Sequence, residues 1–184
     1  MGLQPVDGCT RSAADVLRLL IRGVVPLGIA AVAIMLLFFG GVSSPRASLV
    51  QSILDMRDGF NHQSAGDVLR HCSDDFRESV YSLDSASFRG ALVRIFLGQR
   101  DRSDRSFLWQ AAVSEGAIEV VFDGIEAEAT RATVSAPLEF RRRKKPESKP
   151  VWVLSIEADA QRDTDGRWRF HTASFKTLSG RRPF

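Results

Sequence analysis

The chain has 184 residues and a formal net charge of +3, which argues against a nucleic-acid-binding protein. A chain of this length buries enough surface for one domain to fold without disulfides or structural metal. Its two cysteines, Cys9 and Cys72, form no CxxC pair or Cys/His cluster, so the sequence indicates neither a disulfide framework nor a zinc site.

An apolar segment follows a 22-residue N-terminal tail and contains no charged side chain in the run GVVPLGIAAVAIMLLFFGG. A helix of this length spans about 28 Å, close to the roughly 30 Å hydrocarbon core of a bilayer. A cleaved signal peptide is the rival interpretation, but its apolar region is usually shorter. We therefore predict a transmembrane helix from Gly23 to Gly41, with Pro26 in its first turn and Met35 and Phe39 inside the span.

The arginines that flank this segment predict its orientation. Arg11, Arg18 and Arg22 precede it, whereas Arg46 and Arg57 follow it within about 20 residues. The excess on the N-terminal side favours residues 1–22 in the cytoplasm. The sequence thus predicts a single-pass protein of a bacterial inner membrane, with an extracytoplasmic C-terminal domain.

Three helices are predicted after a linker at residues 42–47. The first is about 15 residues long, and apolar residues recur along one of its faces. Ser64 caps a short second helix, and Asp84 or Ser85 caps a third that ends at Gly98. The apolar faces consist of Leu49, Ile53, Met56 and Phe60 in the first helix, Val68, Leu69 and Cys72 in the second, and Phe88, Ala91, Leu92, Ile95 and Phe96 in the third.

The hydrophobic period then changes from that of a helix to that of a strand. Alternating apolar residues predict strands near residues 118–122, 134–140, 152–158 and 168–174, and Pro137 implies an edge or a bulge in the second of them. We therefore predict an α+β domain at residues 48–180, with a cone-like curved antiparallel sheet packed on about three N-terminal helices.

Two short motifs carry a resemblance to a known family. Ser73-Asp74-Asp75-Phe76 and Asp165-Gly166-Arg167-Trp168-Arg169-Phe170 resemble the nuclear transport factor two-like superfamily, which includes ketosteroid isomerases, SnoaL-like cyclases and members that only bind. The resemblance implies a cone-shaped cavity between sheet and helices. It also matches Asp75 to the family's aspartate after the second helix, whereas Ser174 stands where SnoaL-like members tend to carry a histidine.

These residues predict a binding pocket rather than a catalytic site. Ketosteroid isomerase chemistry needs an aspartate base with a tyrosine and a protonated acid, and the only tyrosine, Tyr81, lies in a polar link. We expect Asp75 to have a structural role and predict no catalytic residue or cofactor. The predicted pocket, for a small apolar ligand, consists of Asp75, Trp152, Ile156, Trp168, Phe170 and Ser174.

Other polar residues are interpreted as surface groups. Glu157 and Asp159 share the strand face opposite the apolar one, and His62, His71 and His171 share no face that would bind a metal.

The basic run of Arg141, Arg142, Arg143, Lys144 and Lys145 could contact anionic lipid or an acidic partner. We expect it instead to be a hairpin tip that charge keeps soluble.

The sequence as a whole therefore predicts a membrane-anchored, non-catalytic binding or assembly module. Its expected partners are the lipid bilayer, a protein or a second copy bound through the sheet, and the apolar ligand. One alternative is an isomerase, cyclase or hydrolase that uses the cone. Another is an inner-membrane assembly factor of a secretion system, because a type IV secretion component has a similar layout.

Overall fold

The structure, a computed structural model, describes residues 44–184 and has the α+β architecture that the hydrophobic periods predict. The predicted transmembrane helix lies outside the described residues, and no helix within them is long and apolar enough to cross a membrane. The helices are α1 (Pro45–Asn61), α2 (Ala65–Leu69) and α3 (Ser85–Gly98). The strands are β1 (Cys72–Glu78), β2 (Leu83–Asp84), β3 (Trp109–Ala112), β4 (Glu119–Phe122), β5 (Arg131–Arg142), β6 (Trp152–Arg162) and β7 (Trp168–Gly180).

Side-chain caps begin the helices where the sequence predicts. The Ser64 hydroxyl accepts a hydrogen bond from the backbone N–H of Asp67 (3.2 Å), and the Asp84 carboxylate accepts one from Ser87 (2.8 Å). These bonds satisfy N–H groups that a helix leaves free in its first turn. Gly59 lets α1 approach α2 closely, since a Cβ there would lie 2.9 Å from the backbone nitrogen of Val68.

The sheet is mixed, so the prediction of a purely antiparallel sheet is wrong. Its strand order is β2-β1-β7-β6-β5-β3, with β4 pairing to β5, and β1 runs parallel to β7. The helices are also not all N-terminal to the strands, because β1 and β2 lie between α2 and α3. Strand β1 escapes the sequence analysis because Asp74 and Asp75 are both exposed and interrupt its alternation.

Pro137 lies in a central strand rather than at the predicted edge or bulge. On one side β5 pairs continuously with β6, where Pro137 lies opposite Ser155. On its other side, β4 pairs with residues 132–135 and β3 with residues 139–142. The proline therefore falls between two partner strands, where no neighbour needs its missing N–H.

Strand β7 changes register twice against β6, which is typical of β-bulges. At the first irregularity Ala160 lies opposite Phe170, but Asp159 lies opposite Thr172, so His171 is an extra residue. An extra residue exchanges the two faces of the strand beyond it. Ala173 and Phe175 consequently face the helices in place of Thr172 and Ser174.

Two hydrophobic clusters fill the space between the helices and the sheet. One packs the first half of α1 against β4–β7, and the other packs Phe60 and α3 against β3, β5 and β6. Phe184 joins the second cluster, with its ring centroid 5.4 Å from that of Phe140 and 5.7 Å from that of Trp152. The packed chain thus extends past the predicted domain end at residue 180.

Candidate functional site

Most of the predicted pocket residues are part of the packed core. Trp152, Trp168 and Phe170 are buried, and Ile156 packs against the first cluster. Trp152 stacks on Phe140 at 5.3 Å between ring centroids. These side chains form the apolar inner wall that the sequence predicts, but aromatic packing occupies the space that the cone-shaped cavity was expected to occupy.

The two polar members of the predicted pocket point elsewhere. Ser174 pairs with Glu157 and so shares the outer face of the sheet, because cross-strand partners lie on the same face. The Asp75 side chain is 76% exposed. Ser174 therefore does not line the interior with Phe170, and the bulge at His171 is the reason. Asp75, which was counted with the predicted pocket, lies at the surface.

Asp75 nevertheless has a titratable neighbour, which the sequence analysis missed. Its Oδ1 lies 3.0 Å from His171 Nδ1, across the junction of β1 and β7. The nearby Ser73 hydroxyl and the His171 imidazole hold the pKa of Asp75 below its usual value. A catalytic general acid would need a raised pKa instead. The two residues are 96 positions apart in sequence, so periodicity within one strand could not have paired them.

His171 also lines a groove of about 460 Å³ that crosses strands β4 to β7. The groove contains Asp159, whose carboxylate accepts hydrogen bonds from the hydroxyls of Thr133 (3.1 Å) and Thr172 (2.7 Å). Arg131 and Val121 lie at the β4–β5 end of the groove. The prediction that Asp159 lies on the solvent-facing side of its strand is confirmed.

The chemistry available in this groove is limited by how His171 is placed. Because Nδ1 faces the Asp75 carboxylate, the imidazole tautomer protonated at Nδ1 would leave Nε2 as an acceptor, which is the arrangement of a general base. Nε2 is buried, however, and no hydrogen-bond partner for it occurs within residues 44–184. A substrate could therefore reach Nε2 only after the groove rearranges.

A buried glutamate was also missed by the sequence analysis. Glu78 is 1% exposed, and its carboxylate accepts hydrogen bonds from the backbone N–H groups of Val80 (2.8 Å) and Tyr81 (2.7 Å). Both bonds hold the turn between β1 and β2. The Tyr81 ring is exposed, and the Arg182 guanidinium lies 5.4 Å from its centroid, so the tyrosine–acid oxyanion hole of ketosteroid isomerases is not assembled here.

The basic turn is bound to the rest of the domain more than a solubilising tip would be. Within the β5–β6 connection, Arg141 donates to the backbone oxygen of Ser148 (2.7 Å). Arg143 reaches α1, where it donates to the backbone oxygen of Asn61 (2.8 Å). Lys144 Nζ lies 2.8 Å from an Asp101 carboxylate oxygen and 3.0 Å from one of Asp104. The Arg142 guanidinium lies over the ring of Trp109, at 4.2 Å from its centroid.

These bonds lower the pKa of both carboxylates that Lys144 contacts, Asp101 and Asp104. The Lys144 ammonium and the Ser103 hydroxyl hold the pKa of Asp101 far below its usual value. Within residues 44–184 the Lys145 side chain makes no hydrogen bond or ion pair, and the Arg142 side chain makes only its contact with Trp109.

Metal binding has no built site in the described part of the chain. No three His, Cys, Asp or Glu side chains within residues 44–184 come together as metal ligands. Cys72 is buried, and its burial raises the pKa of the thiol to about 12, so it behaves as a small apolar side chain.

No protein-family model and no curated protein match this sequence. Solved structures do resemble its fold. An NTF2-like protein with a cystatin-like fold from Novosphingobium aromaticivorans is 14% identical with a TM-score of 0.56, over 83% of this chain and 90% of that one. A cystatin-like-fold protein of unknown function from Nostoc punctiforme is 8% identical with a TM-score of 0.53, over 71% and 88%.

A third similar structure is a ketosteroid isomerase-like protein from Erwinia carotovora, at 14% identity and a TM-score of 0.50 over 72% of this chain and 95% of that one. Identities this low carry information on fold and none on activity. The chain therefore has an NTF2-like, cystatin-like α+β fold, in agreement with the resemblance that its two motifs indicate.

Proposed function

We propose that this protein is a non-catalytic binding or assembly module, which residues 23–41 hold at an inner membrane with the α+β domain outside the cytoplasm. The observation that carries the proposal is the filled interior. Because Trp152 and Phe170 pack among other core side chains, recognition through the outer surface is favoured over a small apolar ligand between helices and sheet.

The outer face of the central strands offers a surface for such recognition. It presents small polar residues, among them Ser135, Ser155 and Ser174, beside the carboxylates of Glu157 and Asp159. None of the helices in residues 44–184 covers this side of the sheet, since their apolar residues pack into the two core clusters. A protein partner or a second copy of the chain is the expected occupant.

Native mass spectrometry of the full chain, extracted from membranes in mild detergent, tests this proposal. We expect a protein to be retained in a fixed ratio. The change Ser155→Arg, which places a long charged side chain on the outer face, should release it. Ala86→Arg on the exposed side of α3 is the matched control and should not. A retained small molecule without a protein would favour the pocket-binding alternative.

The enzyme alternative is supported by one observation, the Asp75–His171 pair beside a groove. It predicts turnover of model substrates for isomerisation, cyclisation or hydrolysis, and loss of that turnover in His171→Gln but not in His62→Gln. Our proposal predicts no turnover by the wild-type chain. Activity that depends on His171 would make the enzyme alternative the better description.

A further inference from the structure

We propose that the tip of the β4–β5 hairpin, which we define as residues 121–126, rests against the lipid headgroups and sets how the domain sits on the membrane. This inference rests on the proposed function, because it requires the anchor at residues 23–41. Its structural basis is the position of the hairpin tip beside the start of α1.

Arg46, in the first turn of α1, binds the hairpin tip in three ways. Its backbone N–H donates to Glu126 Oε1 (3.1 Å), and its Nε lies 3.5 Å from Glu126 Oε2. Its guanidinium also lies 5.5 Å from the centroid of the Phe122 ring. The hairpin tip is therefore held at the end of α1 where the chain enters the domain.

The hairpin tip exposes two large apolar side chains. Val121 is 66% exposed and Ile125 is 70% exposed. Ile125 directly precedes Glu126, which Arg46 binds, and Val121 lies next to Phe122 in β4 but on the opposite, outer face of the strand. Exposed aliphatic side chains that reach a bilayer interface bury apolar area there, and the removal of that area from water favours binding.

The length of chain between the predicted span and α1 brings them within reach. Three peptide units separate Gly41 from Ser44, so even a fully extended link is no longer than about 11 Å. The headgroup region begins where the hydrocarbon core ends. With the anchor in place, the start of α1 therefore stays within about 11 Å of the end of the span, which is close enough for the hairpin tip to meet the headgroups.

The charge of this region selects the kind of lipid surface. Three carboxylates, those of Asp123, Glu126 and Glu128, lie in or beside the hairpin tip, and Arg46 pairs with that of Glu126. An acidic region gains nothing from anionic lipids. The partner we infer is thus the headgroup and acyl boundary of a zwitterionic bilayer, bound through Val121 and Ile125.

Spin-label accessibility measures this contact directly. The full chain, with Cys9→Ser to leave only the buried Cys72, is placed in phosphatidylcholine nanodiscs and labelled at Ile125→Cys. Collisions with lipid-soluble oxygen and a water-soluble nickel chelate are then compared. Leu97→Cys is the matched control, because Leu97 on α3 is an apolar residue of nearly equal exposure, 66%. Val121→Cys provides a second position in the hairpin tip.

We expect the ratio of oxygen to nickel collisions to be severalfold higher at 125 and 121 than at 97. Equal ratios at all three positions would overturn the inference. So would a label at 125 shielded from both reagents, which would indicate a protein contact. If the chain leaves membranes in a carbonate wash, the anchor itself fails. If the chain stays and the label at 125 is in water, only this inference fails.

Discussion

Truncating Phe170 to alanine tests whether the interior is a packed core or a ligand cavity. Phe170 is 2% exposed and belongs to the first core cluster. Its cross-strand neighbours are Ala160 on β6 and Cys72 on β1, both small and buried, so they cannot fill the space it leaves. A phenylalanine-to-alanine change in such a site costs about 3–5 kcal/mol of unfolding free energy.

That loss should appear as a large shift in thermal unfolding. For a domain of this size it corresponds to a fall in Tm of roughly 10–20 °C. The assay is tryptophan fluorescence of the full chain in detergent, because Trp109, Trp152 and Trp168 are all buried and report unfolding of the core. Phe170→Leu keeps most of the volume and should show a much smaller shift.

Ser174→Ala, on the outer face, is the control and should change stability by less than about 0.5 kcal/mol. The reasoning would be refuted if Phe170→Ala unfolded cooperatively with a loss of about 1 kcal/mol or less. That result would mean that space around Phe170 is already open in the wild-type protein, and a ligand cavity would again be the better interpretation.

Three further predictions follow from the basic turn, one histidine and the cysteines. Arg141→Ser should lower the free energy of unfolding by about 1 kcal/mol, because its hydrogen bonds to Ser148 and Glu139 are lost. Lys145→Ser should leave the melting curve unchanged. Equal effects of the two changes would contradict these contacts. Burial lowers the pKa of His71, partly opposed by Asp55, so its unfolded form binds protons more readily. Stability should therefore fall as pH drops through about 6.5, and His71→Gln should flatten that dependence in melts between neutral pH and pH 5. A membrane-impermeant thiol reagent should leave intact cells unlabelled, because Cys9 is predicted in the cytoplasm and Cys72 is buried; labelling of Cys9 would reverse the orientation.

Much of the fold could be predicted from local pattern. Helix periodicity and the caps at Ser64 and Asp84 depend on neighbouring residues, and all three helices form where those signals place them. Alternation similarly located β4 to β7, because each strand buries one face against the helices. Strand β1 could not be found this way, since it pairs in parallel with β7, almost 100 residues later, and exposes two successive aspartates.

The candidate site depended on tertiary structure to a greater degree. The sequence itself predicted the apolar inner wall of Trp152, Trp168 and Phe170, because alternate residues of a strand share one face. Tertiary structure alone decided that these side chains fill the cone, that an extra residue at His171 turns Ser174 outward, and that Asp75 meets His171. The physical reason is that sequence pattern reports which face a residue buries, whereas bulges, parallel pairing and packing density arise only when distant strands meet.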